Sequence, residues 1–177
     1  MVTKLRAEFL NINTPPHIFT LIVLSGLGAL SLSIFLSSIL EMSVFFNKSY
    51  ALMQLSISLY LITTAFFQII AGPLSDKFGR RIITLFSIMI FIIASLGCFF
   101  STKFEFFIFF RLLQASIAAG FLMSRVIIRD ITSENEAASM IGYVTMGMSI
   151  IPLFAPGLGG LIPVSYTHLR AHETILD

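Results

Sequence analysis

The chain has 177 residues, of which 56% are hydrophobic and only 11% are charged, and its mean hydropathy is +0.95. This composition excludes an ordinary water-soluble domain, whose surface needs more polar and charged side chains than this chain supplies. The net charge of +2 does not indicate nucleic-acid binding, because the basic residues fall between apolar runs. The single cysteine, Cys98, excludes an intrachain disulfide and a cysteine pair for a metal ion.

Five apolar stretches are each long enough to cross a bilayer, which takes about 20 helical residues. In lipid only a helix satisfies every backbone group within one segment, so we predict that all five are transmembrane helices. The predicted helices cover residues 18–40, 50–71, 82–100, 106–124 and 139–162. The first is too long for a secretory signal, and another span follows it closely. The sequence therefore predicts an all-α membrane protein.

Basic residues concentrate at one end of these predicted helices. Lysine and arginine near helix ends favour the cytoplasmic side, so we expect a cytoplasmic N terminus and a fifth helix that ends outside. The expected cytoplasmic side holds Lys4, Arg6, Lys77, Arg80, Arg81, Arg125 and Arg129, whereas the outer side holds Lys48 and Lys103.

Small residues recur every four positions in the first and fourth predicted helices. Such spacing lets two helix backbones approach closely, so we expect these faces to pack against other helices. Chance enrichment of small residues in membrane spans is the alternative. The residues concerned are Ser25, Ala29, Ser33 and Ser37 in the first helix, and Ala115, Ser116, Ala119 and Gly120 in the fourth.

The connection between the second and third helices, residues 72–81, reads GPLSDKFGRR and is called the latch segment below. Gly72 and Gly79 permit a tight turn. The carboxylate of Asp76 can form charge-assisted hydrogen bonds with the basic residues that follow it.

The latch segment fills every specified position of the signature loop of the major facilitator superfamily, which the chain therefore resembles. The resemblance implies a conformational latch formed by Gly72, Asp76, Gly79, Arg80 and Arg81. Asp76 and Arg80 would hold two halves of a transporter together in one state, with Asp76 near a helix N terminus that favours an anion. The alternative, strongest for Arg81, is that the basic residues only fix the topology.

Arg111 is the clearest ionisable residue inside a predicted span, where a charge is costly enough to suggest a function. Residues 110–120 resemble the arginine-containing motif of the family's fourth helix, with Ala115 in place of the usual glycine. The resemblance implies that Arg111 and Gln114 serve proton coupling or substrate binding. The alternative is that Arg111 reaches the outer interface, which lies roughly 7 Å away along the helix.

The fifth helix is rich in glycine and proline, and residues 155–160 resemble a motif of the superfamily's antiporters. Proline removes a backbone hydrogen bond and glycine lets helices approach, so this helix can bend or pivot. The resemblance points to export, and ordinary kinking is the alternative. The motif residues are Gly147, Pro152, Pro156, Gly159 and Gly160.

Across residues 18–162 the chain most resembles drug and proton antiporters of the bicyclomycin-resistance (Bcr/CflA) type, and residues 124–130 add to the likeness. This resemblance implies a secondary transporter in a bacterial inner membrane that exports drugs or amphipathic small molecules in exchange for protons. We expect no enzymatic activity, cofactor, metal or nucleic-acid partner. Arg125, Arg129 and Asp130 can form an ion-pair cluster after the fourth helix, or a solvated loop.

The first helix departs from the family pattern. Relatives of this type tend to have an acidic residue within it, whereas residues 30–36 read LSLSIFL and the nearest carboxylate, Glu41, lies at the outer end. Glutamine side chains cannot titrate. The proton carrier is thus unidentified, and two other functions stay open: nutrient uptake by the same fold, and a membrane structural subunit that does not transport.

Members of this superfamily have two six-helix bundles, with the substrate site between them. We therefore expect residues 1–163 to be an N-terminal transmembrane bundle that lacks its C-terminal half and is inactive alone. Residues 164–177 are expected to be a non-native tail, because residues 164–169 resemble translated adapter sequence from library preparation. A metal site at His168, His172 and Glu173 is disfavoured, since a short tail offers no supporting shell.

Amplifying the locus from its source tests this division of the chain. We expect the natural gene to continue past Ile162 into a sixth transmembrane helix. Finding the codons for residues 164–177 in genomic DNA would contradict it.

Overall fold

The computed structural model describes the backbone of residues 16–173 and the side chains of residues 16–154, apart from Asn135. Within this range the chain forms six helices, of which α4 and α5 make up one apolar span, Phe104–Ile131, so that the helices give five candidate membrane spans. The predicted all-α fold with five membrane-crossing helices is confirmed for these residues. The helices are α1 (Ile18–Phe45), α2 (Tyr50–Phe78), α3 (Arg80–Phe100), α4 (Phe104–Gln114), α5 (Ile117–Ile131) and α6 (Glu134–Glu173).

The second span is longer than predicted, because the latch segment continues it. α2 runs through Pro73 to Phe78, so the expected turn at Gly72 is wrong: Gly72 is helical. The chain reverses at Gly79 alone, whose φ of +92° lies in the left-handed region that glycine adopts without a steric penalty. The turn between α2 and α3 is therefore a single residue.

The fourth span is also longer than the predicted helix 106–124, and it is divided in two. Short i to i−3 hydrogen bonds, from the Ala115 N–H to Leu112 O (3.1 Å) and from the Ser116 N–H to Leu113 O (3.0 Å), tighten the chain where α4 ends. The Ser116 hydroxyl donates across to the Ser87 carbonyl of α3 at 3.2 Å. A break without proline or glycine could not be predicted from the sequence.

α6 extends beyond both ends of the predicted helix 139–162. Glu134 and Glu136 lie in its first turn, where a carboxylate interacts favourably with the helix dipole. The helix continues past residue 163, and the division of the chain at that point stays a prediction. The backbone of residues 156–160 is helical, whereas the side chain of Pro156 lies outside the described residues.

α1 packs against α5 and α6, and glycines mark the closest approaches. Gly26 of α1 contacts Ile151 of α6, and a Cβ placed on Gly147 would lie 2.8 Å from Ile22 Cγ2. The predicted small-residue face is confirmed in the fourth span, where all four residues are buried. In α1 it holds at Ser25, which is buried, but not at Ser37, which is exposed.

Large apolar side chains cover the outside of the bundle. Phe99 is 81% exposed, Phe100 73% and Leu153 75%. An apolar surface of this extent is typical of a bundle that faces lipid.

Replacing Gly147 with alanine tests the close contact between α6 and α1. The added methyl group meets the Ile22 side chain, so we expect a loss of about 1–3 kcal/mol of stability from overpacking. The thermal midpoint of the purified protein in detergent measures it. Gly142→Ala in the same helix is the matched control, because nothing lies within 4 Å of its Cβ position. Equal midpoints for the two variants would contradict the packing described here.

Candidate functional site

Arg111 is the one charged side chain among the buried residues of the described chain, with 4% of its surface exposed. It lies on α4, one turn before the break at Ala115. Its Nη1 donates hydrogen bonds to Ser31 Oγ (2.9 Å) and to Gln114 Oε1 (2.7 Å), and its Nη2 donates to the Ser31 carbonyl at 3.3 Å. The guanidinium group therefore ties α4 to both the side chain and the backbone of α1.

Two aromatic rings lie beside the same guanidinium group. The Arg111 Cζ is 4.5 Å from the centroid of Phe35 on α1 and 4.5 Å from that of Tyr60 on α2. The π-face of an aromatic ring attracts a cation, by about 2 kcal/mol when the pair is desolvated. Phe35 belongs to the stretch of α1, residues 30–36, that contains no acidic residue. At this place the chain offers a ring and neutral acceptors instead of a carboxylate.

Gln114 extends the network to α3. Its Nε2 donates to Ser95 Oγ at 2.9 Å, and the Ser95 hydroxyl donates to the Phe91 carbonyl at 2.7 Å. Because a guanidinium group has only donors, the Gln114 carbonyl must face Arg111, which directs its amide group toward Ser95. The arginine network, as we call it, comprises Ser31, Phe35, Tyr60, Ser95, Arg111 and Gln114.

The buried position of Arg111 bears on the alternative that its side chain reaches the interface. The side chain points into the bundle and bonds to α1, so it does not extend to the outer interface. A charged arginine at the centre of a membrane helix costs about 2.5–3.5 kcal/mol or more. Hydrogen bonds to a charged group contribute roughly 1.5–3 kcal/mol each and can offset that cost. The network thus stabilises a charge that lipid alone would not tolerate.

A second polar cluster joins three helices at the Gly79 end of the bundle. The Arg80 guanidinium pairs with the Asp76 carboxylate and donates to the Ser75 hydroxyl, both on α2. Its Nε also donates to Asp130 Oδ2 on α5 at 3.2 Å. The one-residue turn at Gly79 places Arg80 close enough to reach back onto α2. We call these four residues, Ser75, Asp76, Arg80 and Asp130, the Arg80 cluster.

The Arg80 cluster corrects one expectation, the partners of Asp130. Asp130 pairs with Arg80 and forms no described ion pair with Arg125 or Arg129, both of which lie within α5 and not after it. The sequence favours Arg125 and Arg129 as partners of Asp130 because they are close to it in the chain, whereas Arg80 lies 50 residues away. Asp76 lies in the last turn of α2 and pairs with Arg80, the first residue of α3, so its carboxylate lies near the N terminus of α3, although it makes no capping hydrogen bond there.

The other predicted site residues lie apart from these clusters. Arg81 is exposed and has no ion pair within the described chain, as expected of a residue that only fixes topology. Gly147 lies against Ile22, and Pro152 is a half-buried residue of α6. The structure brings together Arg111 with Gln114 and Asp76 with Arg80. Sequence analysis did not identify Ser31, Phe35 and Ser95 as partners, because no local pattern links them to Arg111.

Over the residues that the structure describes, no group of histidine, cysteine, aspartate and glutamate side chains could hold a metal ion. The side chains of His168, His172 and Glu173 lie outside that range.

Replacing Asp130 with asparagine tests the contact between α5 and α3. The pair is partly exposed and contributes about 0–1 kcal/mol, so amide exchange at the end of α5 should rise up to about fivefold. Hydrogen-exchange mass spectrometry measures this. The matched control is Glu105→Gln, an exposed acid in the first turn of α4. If both variants exchange like the parent protein at residues 126–132, the ion pair does not stabilise the end of α5.

Comparison with known proteins agrees with the fold. The sequence profile of the Major Facilitator Superfamily matches residues 18–171. The uncharacterized MFS-type transporter YdgK of Bacillus subtilis is 33% identical over 162 residues, which is 89% of this chain and 40% of that protein. The chloramphenicol resistance protein of Pseudomonas aeruginosa is 30% identical over 138 residues, 77% of this chain and 33% of that protein.

Multidrug resistance protein D of Escherichia coli is 28% identical over 143 residues, 80% of this chain and 36% of that protein. The chain thus spans about two fifths or less of the length of these relatives. No solved structure matches it. The match of the family profile, together with five apolar helices, leads to one conclusion: the chain belongs to the Major Facilitator Superfamily of multi-pass membrane transporters, which are not enzymes.

Proposed function

We propose that the chain is the N-terminal part of a secondary active transporter that exports drugs or amphipathic small molecules across a bacterial inner membrane in exchange for protons. The observation that carries the proposal is the buried Arg111, a charge that four helices hold inside an apolar bundle. Charged residues within membrane spans mark substrate or ion pathways. The names of two relatives, a chloramphenicol resistance protein and a multidrug resistance protein, support drugs as the substrate class. The Bcr/CflA type remains our subtype assignment.

The Arg80 cluster suggests how the latch works. Arg80 joins the ends of α2, α3 and α5, and we propose that these ends move together during the cycle. The Asp76 side chain is 67% exposed although it pairs with Arg80. Its free oxygen lone pairs can therefore accept further hydrogen bonds, and we propose that they come from the second half of the transporter in one state of the cycle. The N terminus and this end of the bundle would face the cytoplasm.

Proton coupling needs a group that gains and loses a proton. Arginine stays protonated in proteins and glutamine does not titrate, so neither Arg111 nor Gln114 can be the carrier. We propose that Arg111 acts through its charge, which favours the ionised form of an acidic carrier that comes close to it during the cycle and thereby promotes release of the carrier's proton.

α6 would provide the pivot of the transport cycle. Gly147 lies against Ile22, so α6 packs closely on α1 before the segment that contains the prolines. Proline at 152 and 156 removes two backbone donors from the helix ladder, which lowers the cost of bending. Gly159 and Gly160 continue this motif. The resemblance of residues 155–160 to the antiporter motif supports export.

A dye-efflux assay on the full-length gene tests the proposal. Dye-loaded cells that express the protein should lose fluorescence faster than cells without it, and a protonophore should abolish the difference. Asp76→Asn should abolish efflux at unchanged expression, whereas Glu105→Gln should not.

Each arm of this assay can contradict one part of the proposal. Accumulation of the dye would indicate uptake, and no movement would favour a structural subunit. Efflux that continues in the presence of the protonophore would contradict the proposed proton coupling. Normal efflux by the Asp76→Asn variant would contradict the proposed role of Asp76 in the latch.

A further inference from the structure

The Arg111 guanidinium group has hydrogen-bond donors that no described residue uses. Arginine has five N–H donors, and the structure shows three hydrogen bonds, two from Nη1 and one from Nη2. Nε is buried and has no partner within the described chain. Since an unpaired buried donor is costly, the free donors indicate a missing acceptor.

Covalent geometry tells which edge of the guanidinium group is free. Nη1 and Nη2 both donate to Ser31, one to its hydroxyl and one to its carbonyl, so the end-on edge faces this residue. The second Nη1 hydrogen points to Gln114. What remains is the Nε hydrogen and the second Nη2 hydrogen. These two are parallel and form the side-on fork that fits both oxygens of a carboxylate.

The bundle does not supply an acceptor of that kind from its nearby residues. α1 contains no acidic residue between Ile18 and Leu40. Glu41 and Glu105 are exposed, and neither forms an ion pair with Arg111 in the described chain. Gln114 already uses its carbonyl for Nη1. The arginine network therefore carries a net positive charge that a further anion can balance.

We propose that the side-on edge of Arg111 binds a carboxylate or similarly shaped anionic group of the transported solute. This inference rests on the proposed function and narrows its substrate class to anionic or zwitterionic amphiphiles, in preference to lipophilic cations. Phe35 and Tyr60 flank the guanidinium group and offer apolar contact to the rest of the solute. Arg111 is 4% exposed in this state, so the solute reaches it when these rings move aside.

Binding of two matched probes to the purified full-length protein tests the inference. The probes share a dansyl group and an alkyl chain, and one ends in a carboxylate, the other in an ammonium group. By fluorescence titration the carboxylate probe should bind at least about tenfold more tightly, since a hydrogen bond to a charged group contributes roughly 1.5–3 kcal/mol. Arg111→Gln should remove the preference, and Arg111→Lys should keep only part of it.

Ser31→Asp is the sharper variant. It places a carboxylate beside Nη1, neutralises the network and should reverse the preference toward the ammonium probe. Ser33→Asp is the matched control, because it adds the same charge to α1 two residues on, about 200° round the helix, and should keep the carboxylate preference. Size-exclusion profiles identify the variants that fold. If Arg111→Gln does not fold, the comparison of Ser31→Asp with Ser33→Asp tests the inference on its own.

Three results would overturn the inference: equal binding of the two probes, no change in the Ser31 variant relative to the Ser33 variant, or displacement of the carboxylate probe by chloride. A roughly tenfold rise in sodium chloride should have little effect on a buried site, where screening is weak. Displacement would assign the edge to an inorganic anion instead of the solute. Because binding is measured without transport, a bound probe that is not exported contradicts only the proposed function.

Discussion

The positive charge of Arg111 is the constraint on which the arrangement of the half of this bundle away from Gly79 depends. The other buried side chains in the described chain are apolar, or are neutral serine and glutamine residues. A charge in such surroundings needs partners, and these come from three neighbouring helices: Ser31 and Phe35 from α1, Tyr60 from α2 and, through Gln114, Ser95 from α3. One side chain thus fixes the relative positions of four helices. Because these partners are neutral, they do not neutralise the positive charge of Arg111.

The Arg80 cluster has the same role at the other end, in different physical conditions. Its side chains are partly exposed, so each ion pair contributes little to stability. Its importance lies in geometry, because Arg80 connects α2, α3 and α5 at the point where the chain has a one-residue turn. Between the two ends, small residues such as Gly120 and Gly147 let helices approach closely. A bundle tied at both ends and closely packed between them is suited to move as a rigid body against a second bundle.

Much of the fold could be predicted from the sequence, because length and hydropathy decide which segments cross a membrane. The helix ends could not, since residues 72–78 and 125–131 contain charged residues that suggest loops, yet both segments continue the helices. The break after Gln114 could not be predicted either, because no proline or glycine lies at that point.

The site was predicted in part. Arg111 is conspicuous because a charge within a span is costly, and Gln114 follows it by one turn. Ser31 and Ser95 resemble other serines of membrane helices, and only the packing of α1 and α3 on α4 identifies them as partners. For Asp130 the sequence favours local partners, because helical neighbours can be inferred from spacing, whereas a contact across 50 residues cannot. The sequence also shows that residues 30–36 of α1 contain no acidic residue. The structure adds that Phe35 of the same stretch lies against the charge.

The most direct test of this account is an experimental density map of the full-length protein in lipid nanodiscs, at a resolution that shows side chains. We expect the Arg111 guanidinium group to face Ser31 and Gln114 inside the bundle, with no carboxylate of α1, α2, α3 or α6 on its side-on edge. A guanidinium group extended to the outer interface, or one paired with an acidic side chain of this bundle, would contradict it.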